Sequence, residues 1–203
     1  MLRATDAVGL ASASCAVAAL FLSLPGIAWL RRKAPTLTIL VALAVPMVPM
    51  GPLPIAGYVR GLLGDLSATT TVLLLLYLLR PAVPLPAVSD RSRLALQALV
   101  AAGGLLLYPL ALGFGPADPH RLGFGHAGFV VTLLLVALAC ACARLHLPAC
   151  CLAIGVAAWA IGALESRNLW DYLLDPLVAT WALGALAGRL VRRRPDRATS
   201  VTL

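Results

Sequence analysis

Apolar residues fill the chain in long blocks, and polar residues gather in short breaks between them. The first block covers residues 7–30 and closes on Arg31-Arg32-Lys33. The second, 37–57, carries Pro46, Pro49, Pro52 and Pro54 with Gly51 among them. Proline removes a backbone donor and kinks a helix. In lipid this is tolerated only where protein or water satisfies the freed carbonyls. The second half of this block is therefore predicted to be broken and buried in protein. Tyr58-Val59-Arg60-Gly61 predicts a short turn, and a third block runs over 62–79. A proline-rich connection from Arg80 to Arg93 leads to the fourth block, 94–113. The longest polar connection, Gly115-Pro116-Ala117-Asp118-Pro119-His120-Arg121, follows. It lies between two copies of Leu-Gly-Phe-Gly, at 112–115 and 122–125, the one internal echo in the chain. The fifth and sixth blocks, 127–143 and 148–164, are joined by a turn through Arg144 and His146. Glu165-Ser166-Arg167-Asn168 leads into the seventh, which ends before Arg192-Arg193-Arg194.

Blocks of this length suit a bilayer, which takes about 20 apolar residues per helix. Composition points the same way. The chain is 61% hydrophobic and 12% charged, with a mean hydropathy of +0.95. A soluble domain of 203 residues cannot hide so much apolar surface. The expected fold is an all-α, polytopic transmembrane bundle of seven spans. Residues 1–191 would form one domain and 192–203 a short basic cytoplasmic tail. Arg3 is offset by Asp6 and the apolar run continues to Leu30, so the first block reads as a retained helix and not a cleaved signal.

The net charge of +8 would suggest nucleic acid in a soluble protein. Here the basic residues flank apolar blocks, which points to orientation and lipid headgroups and away from nucleic acid. Numbering the connections alternately puts twelve of the sixteen basic residues on one side: Arg31, Arg32, Lys33, Arg80, Arg91, Arg93, Arg144, Arg189, Arg192, Arg193, Arg194 and Arg197. Arg3, Arg60, Arg121 and Arg167 fall on the other. Cytoplasmic loops carry the Lys and Arg excess. The N-terminus is therefore expected outside and the C-terminus in the cytoplasm. Most acids, with His120 and His126, then lie toward the outside, so a site is sought there. The usage of Ala, Leu and Arg suggests a bacterial inner membrane.

Three constellations could carry chemistry. Asp65 is expected about one turn into the third helix, where an ionised group needs a partner. Arg60 is near enough to be that partner if the turn folds back. Asp171 and Asp175, four apart, would share a face of one continuous helix and could bind a cation or act as acid and base. Alternatively, 166–174 forms a short interfacial helix, and Asp175-Pro176 supplies an N-cap and first turn. Asp118, His120 and His126 could ligate a metal, and His120 and Arg121 could meet a headgroup phosphate, although their spacing matches no strong motif and glycine with proline usually marks a turn. Arg167 completes the candidate outward-facing set. No metal or cofactor is expected. Cys15, Cys140, Cys142, Cys150 and Cys151 lack zinc-like spacing and read as small apolar packing residues.

No Gly-x-Ser-x-Gly, His-Glu-x-x-His or P-loop motif is present. The leading expectation is a non-catalytic subunit or accessory factor of a cell-envelope or membrane complex, bound to lipids and to another membrane protein. The alternatives are an enzyme acting on a lipid-linked substrate at the outer leaflet, and a small-molecule transporter.

Overall fold

The computed structural model describes residues 4–192. Arg3, Arg193, Arg194, Asp196 and Arg197 lie outside the described residues, and with them all of the expected tail except Arg192, which ends the last helix. The described chain is mostly helical. In order it forms α1 (Ala4–Ser23), α2 (Ala28–Lys33), α3 (Pro35–Ala44), a two-residue hairpin of β1 (Pro49–Met50) and β2 (Leu53–Pro54), α4 (Ile55–Leu63) and α5 (Ala68–Leu79). Then come α6 (Asp90–Ala111), α7 (Ala127–Cys142), α8 (His146–Ala160), α9 (Leu169–Leu173) and α10 (Pro176–Arg192).

Two of these, α1 and α6, are long and apolar enough to cross a membrane. The apolar helices α5, α7 and α8 are shorter, as is the stretch Pro35–Met47. The blocks read from sequence thus become helices, but several are interrupted. The first is cut at Pro25, where a 3-10 turn separates α1 from α2. The second breaks at the expected prolines, through a 3-10 turn at Val45–Met47 and then the hairpin. The hairpin is not buried in protein, however. Met47, Val48, Met50 and Leu53 are all exposed, so this broken segment lies on the surface of the bundle.

The third block also needs correction. Residues 58–61 are not a turn but belong to α4, and the break comes at Gly64, whose φ of 75° suits glycine. Asp65 consequently lies in the short connection before α5, not inside a helix.

Two apolar cores hold the helices together. One joins α6, α8, α9 and α10 through Leu96, Val100, Cys151, Leu169, Tyr172 and Val178. The other joins α1 and α3 through Ala18, Leu22, Ile39 and Ala42, with Leu78 from α5. Leu73 and Leu76 of α5 pack on the first core and Leu78 on the second, so α5 is the shared element. Small residues allow close approach of α6 to α10 and to the residues before it: a Cβ on Gly104 would lie 3.2 Å from Ala179 of α10, and one on Gly103 3.0 Å from Leu174.

The start of α5 is fixed by α10. Ser67 is the N-cap of α5, its Oγ accepting from Thr70 N at 3.1 Å. Asp175 precedes Pro176 and caps α10, its Oδ1 accepting from Val178 N at 2.8 Å. Its other oxygen, Oδ2, accepts from Ser67 N at 2.9 Å and Thr70 Oγ1 at 2.5 Å. One carboxylate, 7% exposed, therefore closes two helix N-termini. Both termini carry partial positive charge, which favours an anion between them. Asp175→Ala removes three hydrogen bonds, one of them the α10 cap, and should cost about 3 kcal/mol. Asp175→Asn keeps the oxygen that caps α10 but turns an NH2 toward the Ser67 N–H, so it should cost about 2 kcal/mol. Unfolding of the purified protein in detergent measures both, and a fully stable Asp175→Ala variant contradicts the double-cap role.

Candidate functional site

The candidate site is built on the loop that follows α8. Trp159 near the end of α8 donates from Nε1 to Arg167 O at 2.9 Å, folding residues 161–167 back on the helix. The Tyr172 hydroxyl holds the same loop from α9. It accepts from Leu164 N at 3.1 Å and faces the carbonyls of Leu164 and Ser166 at 3.2 and 3.0 Å. A phenol is protonated at neutral pH and so able to donate to one of these carbonyls.

Against this loop stands Arg60, on the last turn of α4. Its guanidinium meets three carboxylates: Asp65 at 2.6 Å from Nε, Asp6 at 3.2 Å from Nη1, and Glu165 at 3.0 Å from Nη2. Asp65 Oδ2 in turn accepts from Glu165 N at 3.3 Å. The Arg60 pKa is raised, chiefly by the hydrogen bond to Asp65, against the opposing effect of burial. The bond to Asp6 and the charges of Asp65 and Glu165 add to the rise. Gly9 of α1 makes room for this group, since a Cβ there would overlap Arg60 Nε and Asp65 Oδ1. Three distant parts of the chain, at Asp6, Arg60–Asp65 and Glu165, are thereby tied together.

The rest of the network spreads from the same loop. Ser166 Oγ donates to Asp171 Oδ2 at 2.5 Å and accepts from Asn168 N at 3.0 Å. Asn168 caps α9, with Oδ1 accepting from Trp170 N, and its Nδ2 donates to His120 O at 3.0 Å. The same Nδ2 lies 3.0 Å from His120 Nε2. Trp170 Nε1 donates to Pro119 O. Gly123 is required where the 3-10 turn Pro119–Gly123 meets Asn168, because a Cβ would overlap Asn168 Oδ1.

The residues singled out from sequence are therefore divided. Arg60 and Asp65 do pair. His120, Arg167 and Asp171 reach the same loop network. Asp118 and Arg121 lie on its margin: Asp118 caps the 3-10 turn by accepting from His120 N, and Arg121 is exposed. Asp175 does not share a helix face with Asp171. Leu174 is extended (φ −134°, ψ 138°) between α9 and α10, which leaves the capping arrangement for Asp175. Asp6 and Glu165 were not in the predicted set. Nothing in local spacing marks them, since each meets Arg60 only through the tertiary fold. Among the described residues, no three His, Cys, Asp or Glu side chains gather as metal ligands. Cys15, Cys140 and Cys151 are buried, as packing residues would be, whereas Cys142 and Cys150 are exposed on the surface of the bundle.

Beside the loop lies an open cleft of about 480 Å³, lined by Phe124, Trp159, Glu165, Ser166, Arg167 and Tyr172 among others. Its polar groups include a carboxylate, a guanidinium and a phenol. No known protein family, curated protein or solved structure matches the chain.

Removing Arg60 should leave three carboxylates without their cation. Arg60→Gln is expected to lower stability by about 3 kcal/mol. Glu165 is 62% exposed, so Glu165→Gln should cost less than about 1 kcal/mol. Equal effects of the two substitutions in chemical unfolding would contradict a lock centred on Arg60 and Asp65.

Proposed function

We propose that this chain is a seven-span protein of a bacterial inner membrane, N-terminus outside and C-terminus cytoplasmic. In this reading it serves as a non-catalytic subunit or accessory factor for another membrane protein. Large apolar side chains point outward from most of the helices, among them Leu20, Leu40, Leu75, Leu105, Leu135 and Ile154. So wide an apolar exterior favours lipid or protein neighbours over water. The break inside the seventh block is compatible with a span, because Leu174 and Asp175 lie buried where protein satisfies the backbone, whereas the exposed hairpin of the second block requires headgroup-level water or a protein neighbour.

The observation that carries the accessory reading is the occupation of the outer polar groups. Arg60, Asp65, Asp171 and Asp175 bond to one another or to loop and helix ends. Such carboxylates shape a surface; they are not held free for proton transfer. What this surface leaves available are the exposed Arg167 and the cleft beside it, edged by exposed Phe124 and by Glu165, which is paired with Arg60 but 62% exposed. That composition suits a rim with an arginine contact.

The cleft also favours one alternative, an enzyme that takes a lipid-linked substrate at the outer leaflet, with Arg167 on a phosphate. Extraction into nanodiscs followed by mass spectrometry separates the two. The accessory reading expects a stoichiometric protein partner, whose retention falls about tenfold in Arg167→Ala. A chain that purifies alone with a bound lipid-linked sugar, lost in Arg167→Ala, overturns it in favour of the enzyme.

A further inference from the structure

The opposite end of the bundle is organised differently. A groove of about 600 Å³ runs along α5, between α1 and α10. Leu73 and Leu76 form its floor, Leu20 one wall and Trp181 the other. It starts at Thr70, whose hydroxyl is already bonded to Asp175, and ends at Arg80 and Arg93. Tyr77 and Arg80 continue into a second cleft of about 710 Å³, which adds Arg31 and Arg32. Arg31 donates to Tyr77 Oη at 2.9 Å and stacks on its ring at 4.8 Å, joining the two spaces. No Asp or Glu lines either of them. Asp90, one turn before Arg93 on α6, is exposed. Among the described residues neither Arg80 nor Arg93 pairs with a carboxylate.

We propose that this groove is a binding slot for an anionic phospholipid of the cytoplasmic leaflet, with its phosphate on Arg80 and Arg93 and an acyl chain along α5. The inference rests on the membrane reading given above. Two features select this occupant. The first is charge: Arg80 and Arg93 in the groove, with Arg31 and Arg32 in the adjoining cleft and no lining acid in either, complement a phosphate, and guanidinium is well suited to phosphate oxygens. The second is reach. Thr70 to Arg80 spans ten residues of helix, about 15 Å. A bilayer's hydrocarbon is about 30 Å thick, so the groove is one leaflet deep. The polar atoms at its inner end are already bonded, and the walls are apolar, which suits a tail and not a polar solute.

The test uses the full chain in nanodiscs made of equal parts phosphatidylglycerol and phosphatidylcholine. After mild detergent transfer, native mass spectrometry counts the lipid retained. Wild type is expected to keep phosphatidylglycerol about tenfold over phosphatidylcholine. Arg80→Gln with Arg93→Gln should abolish the preference, and the double Lys variant should keep most of it. Ala16→Phe, which narrows the groove without changing charge, should also reduce retention. If the Gln variant does not fold, raising salt on the wild type must erode the preference instead. Equal retention of the two lipids by wild type overturns the slot, as does full retention by Ala16→Phe. A chain that stays in the aqueous phase without detergent contradicts the membrane reading itself, whereas an inserted chain with no lipid preference overturns the slot alone.

Discussion

Two helix N-termini meet at the carboxylate of Asp175, and the arrangement around it follows from that convergence. An ionised group at 7% exposure must be fully bonded to persist. Val178 N, Ser67 N and the Thr70 hydroxyl supply the bonds. Fixing Ser67 fixes where α5 begins, and α5 is the helix on which both apolar cores rest. It also sets the position of Asp65, two residues earlier, from which the Arg60 group is assembled. On the other side, the extended Leu174 that brings Asp175 into place separates α9 from α10 and lets Tyr172 reach the 164–166 loop.

The two ends of the bundle handle charge in opposite ways. At one end Arg60 is shared among three acids, and loops are tied down by Asn168, Ser166 and Tyr172. At the other, Arg31, Arg80 and Arg93 face clefts with no acid in their lining. An acid-rich end tied by ion pairs and hydrogen bonds is suited to holding shape against a partner, while an open basic end is suited to anionic headgroups. The second pattern is the one that the positive-inside rule requires of a cytoplasmic face. The proposed partner surface and the proposed lipid slot thus arise from one asymmetry in the chain.

Much of the helical layout was legible from the runs of apolar residues, because each run ends at charge, glycine or proline. The breaks were less legible. Four prolines announced the interruption after Ala44, yet not that the hairpin would lie on the surface, since local sequence carries no record of which face packs. The apolar residues that flank Asp65 suggest a helix through it. The competing signals were Gly64, which ends α4, and the Ser67 cap three residues before Thr70, which starts α5. The Asp175-Pro176 pair carried its own capping signal. By contrast, Asp6 and Glu165 join Arg60 from sequence separations that no spacing rule reaches, so only the fold brings them into view.

Sidedness is the most direct test of these ideas. In a cysteine-free background, Ala117→Cys would lie in the loop assigned to the outside and Val83→Cys in a loop assigned to the cytoplasm. Labelling intact cells with a membrane-impermeant maleimide should modify position 117 at once and position 83 only after lysis. Equal labelling of both positions in intact cells, or the reverse order, would contradict the proposed multi-pass arrangement and the separate roles given to its two ends.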